Sequence, residues 1–482
     1  MKVLARSLSV SMLALFAAGC STPNPTALDK PGDVPVAFTA PVVRDAPIWP
    51  EAGWWTNFKA AELPDLEETA QKQNLDIAVA AAQLLQAEAT DETAFAALLP
   101  NVSGNGGLTR RATETVLAGG GTKERDTNAF SAGLSVTYGV DIWGLSQDKL
   151  RQARESLRAS RYNAAAVGLT TASSVANEYF IILSLRERIT IARQNIDAAN
   201  RILAVTQAKV TNGVSSNLDL SQQQVTVAAQ RARLPGLIEQ EREARYALAI
   251  LLGRAPEGFD VKGQNLNGIV PPTVKPGLPS EILTRRPDIA AAEANLYAAH
   301  ANVDAARAAF FPSVSLSAAP GYASTALAGL TNPGNFVWSF GVSFLQTIFD
   351  GGKLKAADDS ALAVQQQLIA TYRKTVFNGF NLVETALGQV SSDNDQLVAL
   401  NEEVRAATEA FRIAELQYRE GTIDILSLLN TEQQLFTAQD TLAQTKLLQL
   451  EACVSVYQQL GGGWTQQASD AAFEPQLDWW PL

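Results

Sequence analysis

The chain has 482 residues, a formal net charge of −11, a single histidine (His300), two cysteines and two methionines. Both methionines fall in the first twelve residues, so a transition-metal centre or a Ser-His-Asp triad has almost nothing to be built from. The acidic balance disfavours nucleic acid as a partner and is compatible with an acidic channel lining.

Lys2 and Arg6 precede an apolar run over 8–18 that ends in Gly19-Cys20. This is the charged, apolar and small-residue order of a secretory signal, expected to be removed as residues 1–19, and its apolar part is too short to span a membrane as a helix. Cys20 directly after Ala17-Ala18-Gly19 looks like a bacterial lipobox, with Ala17 where such boxes usually carry Leu. Cys20 is therefore expected to carry covalent lipid, with no other cofactor and no metal. Ser21 rather than Asp follows it, which points to the outer membrane. Losing Lys2 and Arg6 takes the formal charge from −11 to −13. The remaining Cys453 has no partner for an internal disulfide, and its expected place is inside a helix bundle.

Residues 20–62 read as a lipid-anchored extended segment. The Ala-rich stretch 63–99 lacks internal glycine and ends at Pro100, so it reads as one helix. Strands follow at about 101–110 and 128–140, with an outward loop over 109–127 that carries Arg110, Arg111 and Lys123. In the second strand Phe130, Ala132, Leu134, Val136 and Tyr138 alternate with Ser131, Gly133, Ser135 and Thr137. A helix over 146–211 comes next, reaching roughly 100 Å at 1.5 Å per residue. Asn212-Gly213-Val214 turns the chain into an antiparallel return helix, where Pro235-Gly236 predicts a break or kink. An inter-repeat linker spans 254–280. The order then recurs: a helix over 281–311, strands at about 313–323 and 335–346 with Phe336, Trp338, Phe340, Val342 and Phe344 on one side, a long helix over 353–420, the turn Glu420-Gly421-Thr422, a return helix to 460 and a tail over 461–482.

The recurrence is residue by residue. Asn74-Leu75-Asp76-Ile77-Ala78 matches Arg286-Pro287-Asp288-Ile289-Ala290, Pro100 matches Pro312, and Leu251-Leu252-Gly253 matches Gln459-Leu460-Gly461. The chain is one module of helix, two strands and two long helices, covering 63–253 and again 281–460. Alternating strands of this length fit a half-buried soluble sheet or a tilted membrane strand. In lipid, four strands cannot close, so several subunits must complete a barrel. Two chains would supply eight strands and three would supply twelve, and spacing does not decide between them.

Trp54-Trp55-Thr56-Asn57-Phe58, the stretch from Leu278 through Arg285-Arg286-Pro287-Asp288 to Phe310-Phe311-Pro312, Gln417-Tyr418-Arg419-Glu420-Gly421 and the ending Leu460 to Trp464 resemble the motifs of the TolC-like outer-membrane efflux proteins, in particular the NodT-type lipoprotein branch. The resemblance covers nearly the whole chain after Cys20. It implies a mainly α fold with a membrane β-barrel: a homotrimer whose twelve strands cross the outer membrane and whose twelve helices form a periplasmic tunnel. It implies an exit duct for small molecules and no enzymatic reaction, worked by a periplasmic adaptor (membrane fusion) protein and an inner-membrane pump of the RND class. The adaptor-contact tips fall on Asn212, Gly213, Val214, Glu420, Gly421 and Thr422. Glu415 stands where relatives often carry an acid, so a periplasmic gate of Glu415, Tyr418 and Arg419 is expected, the last two tying neighbouring helices together. The alternatives are a type I protein secretion duct of the same fold and a periplasmic coiled coil, which leaves the strands unexplained.

Overall fold

The computed structural model describes residues 35, 38–39, 49–116, 122–273 and 279–465. The signal 1–19, Cys20 and residues 466–482 of the tail lie outside them. The first module consists of α1 (Leu63–Gln73), α2 (Leu75–Ala96), β1 (Asn101–Val116), β2 (Thr122–Val140), α3 (Leu145–Thr211) and α4 (Asn217–Leu251). The second consists of α5 (Ile282–Arg285), α6 (Pro287–Ala308), β3 (Ser313–Ser324), β4 (Phe336–Leu345), α7 (Lys353–Glu420) and α8 (Ile425–Gln459).

The helices expected over 63–99 and 281–311 are each broken once, at matching residues. Asn74 is extended, and its side chain accepts the Ile77 N–H at 3.0 Å as the cap of α2. Arg286 is extended because Pro287 crowds the residue before it out of the helical region. Both break residues hold the end of a return helix. Asn74 Nδ2 donates to the Leu251 carbonyl at 2.8 Å, and Arg286 Nη1 donates to the Gln459 carbonyl at 3.0 Å while Nη2 pairs with Asp288 at 2.8 Å. Beside them Gly253 (φ 66) and Gly461 (φ 91) lie so close that an added Cβ would stand 2.0 Å from the Gln73 and Arg285 carbonyl oxygens.

α3 and α7 run 67 and 68 residues without interruption, as the absence of internal proline allows. α4 is likewise continuous through Pro235, so the expected break is absent. Pro235 lies on the exposed side of α4, where a carbonyl left without its helical N–H is open to solvent. The segment expected to be extended is not so throughout, since Trp54–Phe58 forms a short 3-10 helix whose rings enter the core. Trp54 stacks on Tyr457 at 5.3 Å and Phe58 meets Phe180 at 5.2 Å. Cys453 is buried in the same cluster, which pushes its thiol up to about 12. The linker is pinned to this core by Arg186, which donates to the Val261 and Gly263 carbonyls at 2.7 and 2.6 Å and pairs with Glu241 at 2.8 Å.

The four strands form one antiparallel sheet in the order β1-β2-β3-β4. β1 and β2 are longer than expected. Arg110 and Arg111 are not in a loop but pair with Asn128 and Thr127, and Arg110 bridges to Asp126 at 2.6 Å. Lys123 stands on β2 opposite Thr115, and residues 117–121 of the expected loop lie outside the described residues. Repeated Thr at 109, 113, 115, 122 and 127 suits a strand and carries the ladder outward past the apolar zone.

Candidate functional site: paired helical tips and the membrane sheet

The chain reverses after α3 and α7 by the same device. Gly213 (φ 71) donates to the Val210 carbonyl at 3.0 Å and Val214 to Lys209 at 2.8 Å; Gly421 (φ 79) donates to Tyr418 at 3.2 Å and Thr422 to Gln417 at 2.9 Å. A left-handed residue that closes bonds three and five residues back satisfies the last carbonyls of a helix, and glycine adopts that conformation without strain. The return helices start on side-chain caps: Ser216 and Asp219 cap reciprocally at 3.1 and 3.0 Å, and Asp424 accepts the Ser427 N–H at 2.8 Å. The Ser215 hydroxyl and the Ser216 N–H hold Asp219 below the usual carboxylate range, and the Ser427 N–H does the same for Asp424. An added Cβ at Gly213 or Gly421 meets nothing within 4 Å, so both turns offer open backbone to a partner.

The two tips lie side by side. The Tyr418 hydroxyl is 3.0 Å from Thr206 Oγ1, and Lys209 Nζ donates to the Tyr418 carbonyl and stands 4.2 Å from its ring centroid. Tyr418 is therefore buried and joins α7 to α3. Arg419 instead pairs with Glu415 at 2.5 Å, one turn back on α7, and among the described residues it ties no neighbouring helix. Beneath the turns Ile202, Phe411, Ala414, Leu428, Leu435 and Phe436 form a separate core. Glu432 on α8 is buried at this level without a hydrogen bond to either carboxyl oxygen, and burial pushes it up to about 7. Gln223 beside it donates to the Ala199 carbonyl at 3.0 Å.

Thr206, Lys209, Gln223 and Glu432 escaped the sequence reading. Glu432 had a signal, because it falls between Leu428 and Leu435-Phe436 on the apolar spacing of its helix. Thr206 and Lys209 had none, since only tertiary packing brings the tip of α7 alongside α3.

In the sheet, pairing gathers most of the apolar side chains on one face. Val102 opposes Val136, Leu108 opposes Phe130, Tyr138 opposes Leu316, and Leu316, Ala318, Pro320 and Tyr322 oppose Val342, Phe340, Trp338 and Phe336. The result is a continuous apolar face, with Trp338 and Phe344 each 72% exposed. The other face carries Ser103, Ser135, Ser315, Ser317, Ser343 and Gly341. At the helix junction Trp143 stacks on Phe311 at 4.8 Å and its Nε1–H donates to the Pro312 carbonyl at 2.8 Å. Among the described residues no helix is long and apolar enough to cross a membrane.

A family model described as "Outer membrane efflux protein" matches residues 66–254 and again 278–462. The chain is 39% identical over 416 residues to the pyoverdine export outer membrane protein OpmQ of Pseudomonas aeruginosa, covering 85% of this chain and 87% of that one. It is 32% identical over 422 residues to the probable efflux pump outer membrane protein TtgC of Pseudomonas putida, covering 87% of each. Among solved structures, the outer-membrane channel OprN superposes with a TM-score of 0.81 at 27% identity, covering 91% of this chain and 100% of that one.

Proposed function

The chain belongs to the outer membrane efflux protein family, and on that premise we propose that three copies of it form a passive exit duct for small organic molecules, opened by a periplasmic adaptor and driven by an inner-membrane pump of the RND class. The protein is an outer-membrane channel with a periplasmic helical portion. The observation that carries the proposal is the union, in one chain, of an open-edged four-stranded sheet with an exposed apolar face and two antiparallel helix pairs whose longer members reach about 100 Å. The sheet requires other copies to close it, and the helices supply a wall long enough to continue the passage away from the membrane.

Three features support the finer reading. Two glycine turns with open backbone stand together at the far end of the helices, as docking of an adaptor requires. Cargo of small organic molecules accords with relatives named for pyoverdine export and for an efflux pump. Lipid on Cys20 ties the N-terminus to the bilayer that the barrel spans. The chain supplies passage, while energy and choice of cargo come from the pump.

The test is native mass spectrometry and planar-bilayer recording of the membrane-extracted protein. A lipidated trimer with small, occasional conductances is expected. A monomer that does not conduct would overturn the duct.

A further inference from the structure

Beneath the two turns three oxygen atoms are buried without a hydrogen-bond donor: both carboxyl oxygens of Glu432 on α8 and Oε1 of Gln223 on α4. Both side chains are shut off from solvent. Gln223 stands beside Glu432, and its Nε2 donates to the Ala199 carbonyl of α3 at 3.0 Å, which leaves Oε1 as the open end of the amide. Oxygen atoms that only accept cannot satisfy one another, so an ionised Glu432 leaves all three unpaired where each is costly. A single proton changes the count. A neutral carboxyl carries one O–H donor, and Gln223 Oε1 is the buried acceptor beside it. Such a bond crosses between the modules, because α4 belongs to the hairpin with α3 and α8 to the hairpin with α7.

We propose that protonated Glu432 donates its hydroxyl to Gln223 Oε1 and so latches α8 to α4 beneath the paired turns, and that release of this proton to the surrounding water unfastens the latch and loosens both tips. Leu428, Leu435 and Phe436 beside Glu432 belong to the small apolar core at this level, which offers a carboxylate nothing in place of a donor. The charged groups of the packed helices supply none either. On α7 Glu415 adds a like charge, and Arg419 is paired with Glu415. On α3 Lys209 is engaged by the Tyr418 carbonyl and ring, while Asp197 and Arg201 are exposed. On α4 Asp219 caps the helix start and Arg231 donates to Asn200; on α8 Asp424 caps its own helix and Asp440 pairs with Arg188. Burial and the Glu415 charge hold the proton up to about 7, so the latch is fastened in acid and released above neutrality. The latch stands on the single chain, and only its consequence for passage rests on the duct reading.

Amide hydrogen exchange of the full chain in detergent, read by mass spectrometry on peptides from both tips, tests the latch. Each variant is compared with the parent at the same pH, so the intrinsic pH dependence of exchange cancels. Glu432→Gln keeps a donor for Gln223 Oε1 and carries no charge, so it mimics the fastened state. From about pH 5.5 to about pH 8 the parent's tip exchange relative to that variant is expected to rise at least about tenfold. Gln223→Met removes the acceptor and keeps the bulk, so its rise should level off about 0.5–1 pH unit lower, the worth of one hydrogen bond. In bilayer recordings over the same range the parent's open fraction should grow, while that of Glu432→Gln stays at its acid level. A parent-to-variant ratio that does not change with pH overturns the latch. An unmoved plateau in Gln223→Met overturns Gln223 as the partner, and this comparison with the parent carries the test alone if Glu432→Gln does not fold. The expected exchange in protein that conducts at no pH supports the latch and overturns the duct reading.

Discussion

Glu432 lies where its type is disfavoured in the charged form, since a buried carboxyl without a hydrogen bond favours the neutral state. Burial raises it to about 7, and the neighbouring Glu415 charge adds to the rise. Between pH 4.5 and about 7 the folded chain therefore holds a proton that the unfolded chain releases. Stability from this site is fully present below pH 4.5, falls as pH rises through 7 and is flat above that. Glu432→Gln is expected to raise the unfolding free energy at pH 8 by an amount on the order of 1–3 kcal/mol and to change it little near pH 4.5, read by denaturant titration of detergent-solubilised protein. An equal gain at both pH values would mean that another group already compensates the charge. Glu67 in the main core makes a useful contrast, because burial lifts it to about 9 and it stays protonated through this whole range. Because the unfolded chain ionises this carboxyl above about pH 4.5, Glu67→Gln should remove a loss of stability of about 1.4 kcal/mol per pH unit between pH 5 and 8.

At the scale of elements, four glycines end the four long helices, but they do so in two different surroundings. Gly213 and Gly421 face open space, whereas Gly253 and Gly461 touch the backbone of residues 73 and 285. Gly421→Ala meets only the left-handed backbone penalty, about 1 kcal/mol, and should fold and assemble. Gly461→Ala adds a Cβ 2.0 Å from a carbonyl oxygen, so the trimer yield in membrane extracts should collapse. Gly421→Trp should assemble yet abolish efflux, read as loss of drug resistance in a complemented strain; normal resistance would remove this turn from the docking surface. The long helices, the turns and the duplication were legible because glycine, proline and apolar spacing act locally. The break at Arg286 had its signal in Pro287, and Asn74 in its cap chemistry, but an Ala-rich stretch favours helix on both sides and hides a one-residue interruption. Charged Arg110 and Arg111 made a long hairpin look like a loop, since composition alone does not register that a strand goes on pairing beyond the membrane. The nearness of Thr206, Lys209 and Tyr418 depends on how α3 lies against α8, which brings the tip of α7 alongside and which no local pattern encodes.

For the whole molecule, the sheet's two faces must meet two solvents, and that division decides whether the assembly inserts. Phe340 lies near the middle of β4 on the apolar face, while Ser339 and Ser343 project from the opposite one. A lysine at the lipid-facing midpoint costs about 2–4 kcal/mol per subunit, so three copies in a closed barrel multiply the penalty. Phe340→Lys is therefore expected to lower the yield of inserted trimer sharply, measured as the fraction that resists extraction from purified outer membranes by alkali. Ser343→Lys places the same charge on the opposite face of the sheet, which the proposed trimer turns away from lipid, so the bilayer imposes no cost there. That variant should insert like the parent and should instead shift single-channel ion selectivity toward anions, because three added cations ring the passage. Equal insertion losses for the two variants would mean that both faces contact lipid or that neither does, and a four-stranded contribution to a closed barrel could not stand. Unequal losses with an unchanged selectivity would keep the lipid face as assigned but move the ion pathway away from Ser343, leaving the interior of the barrel filled rather than open.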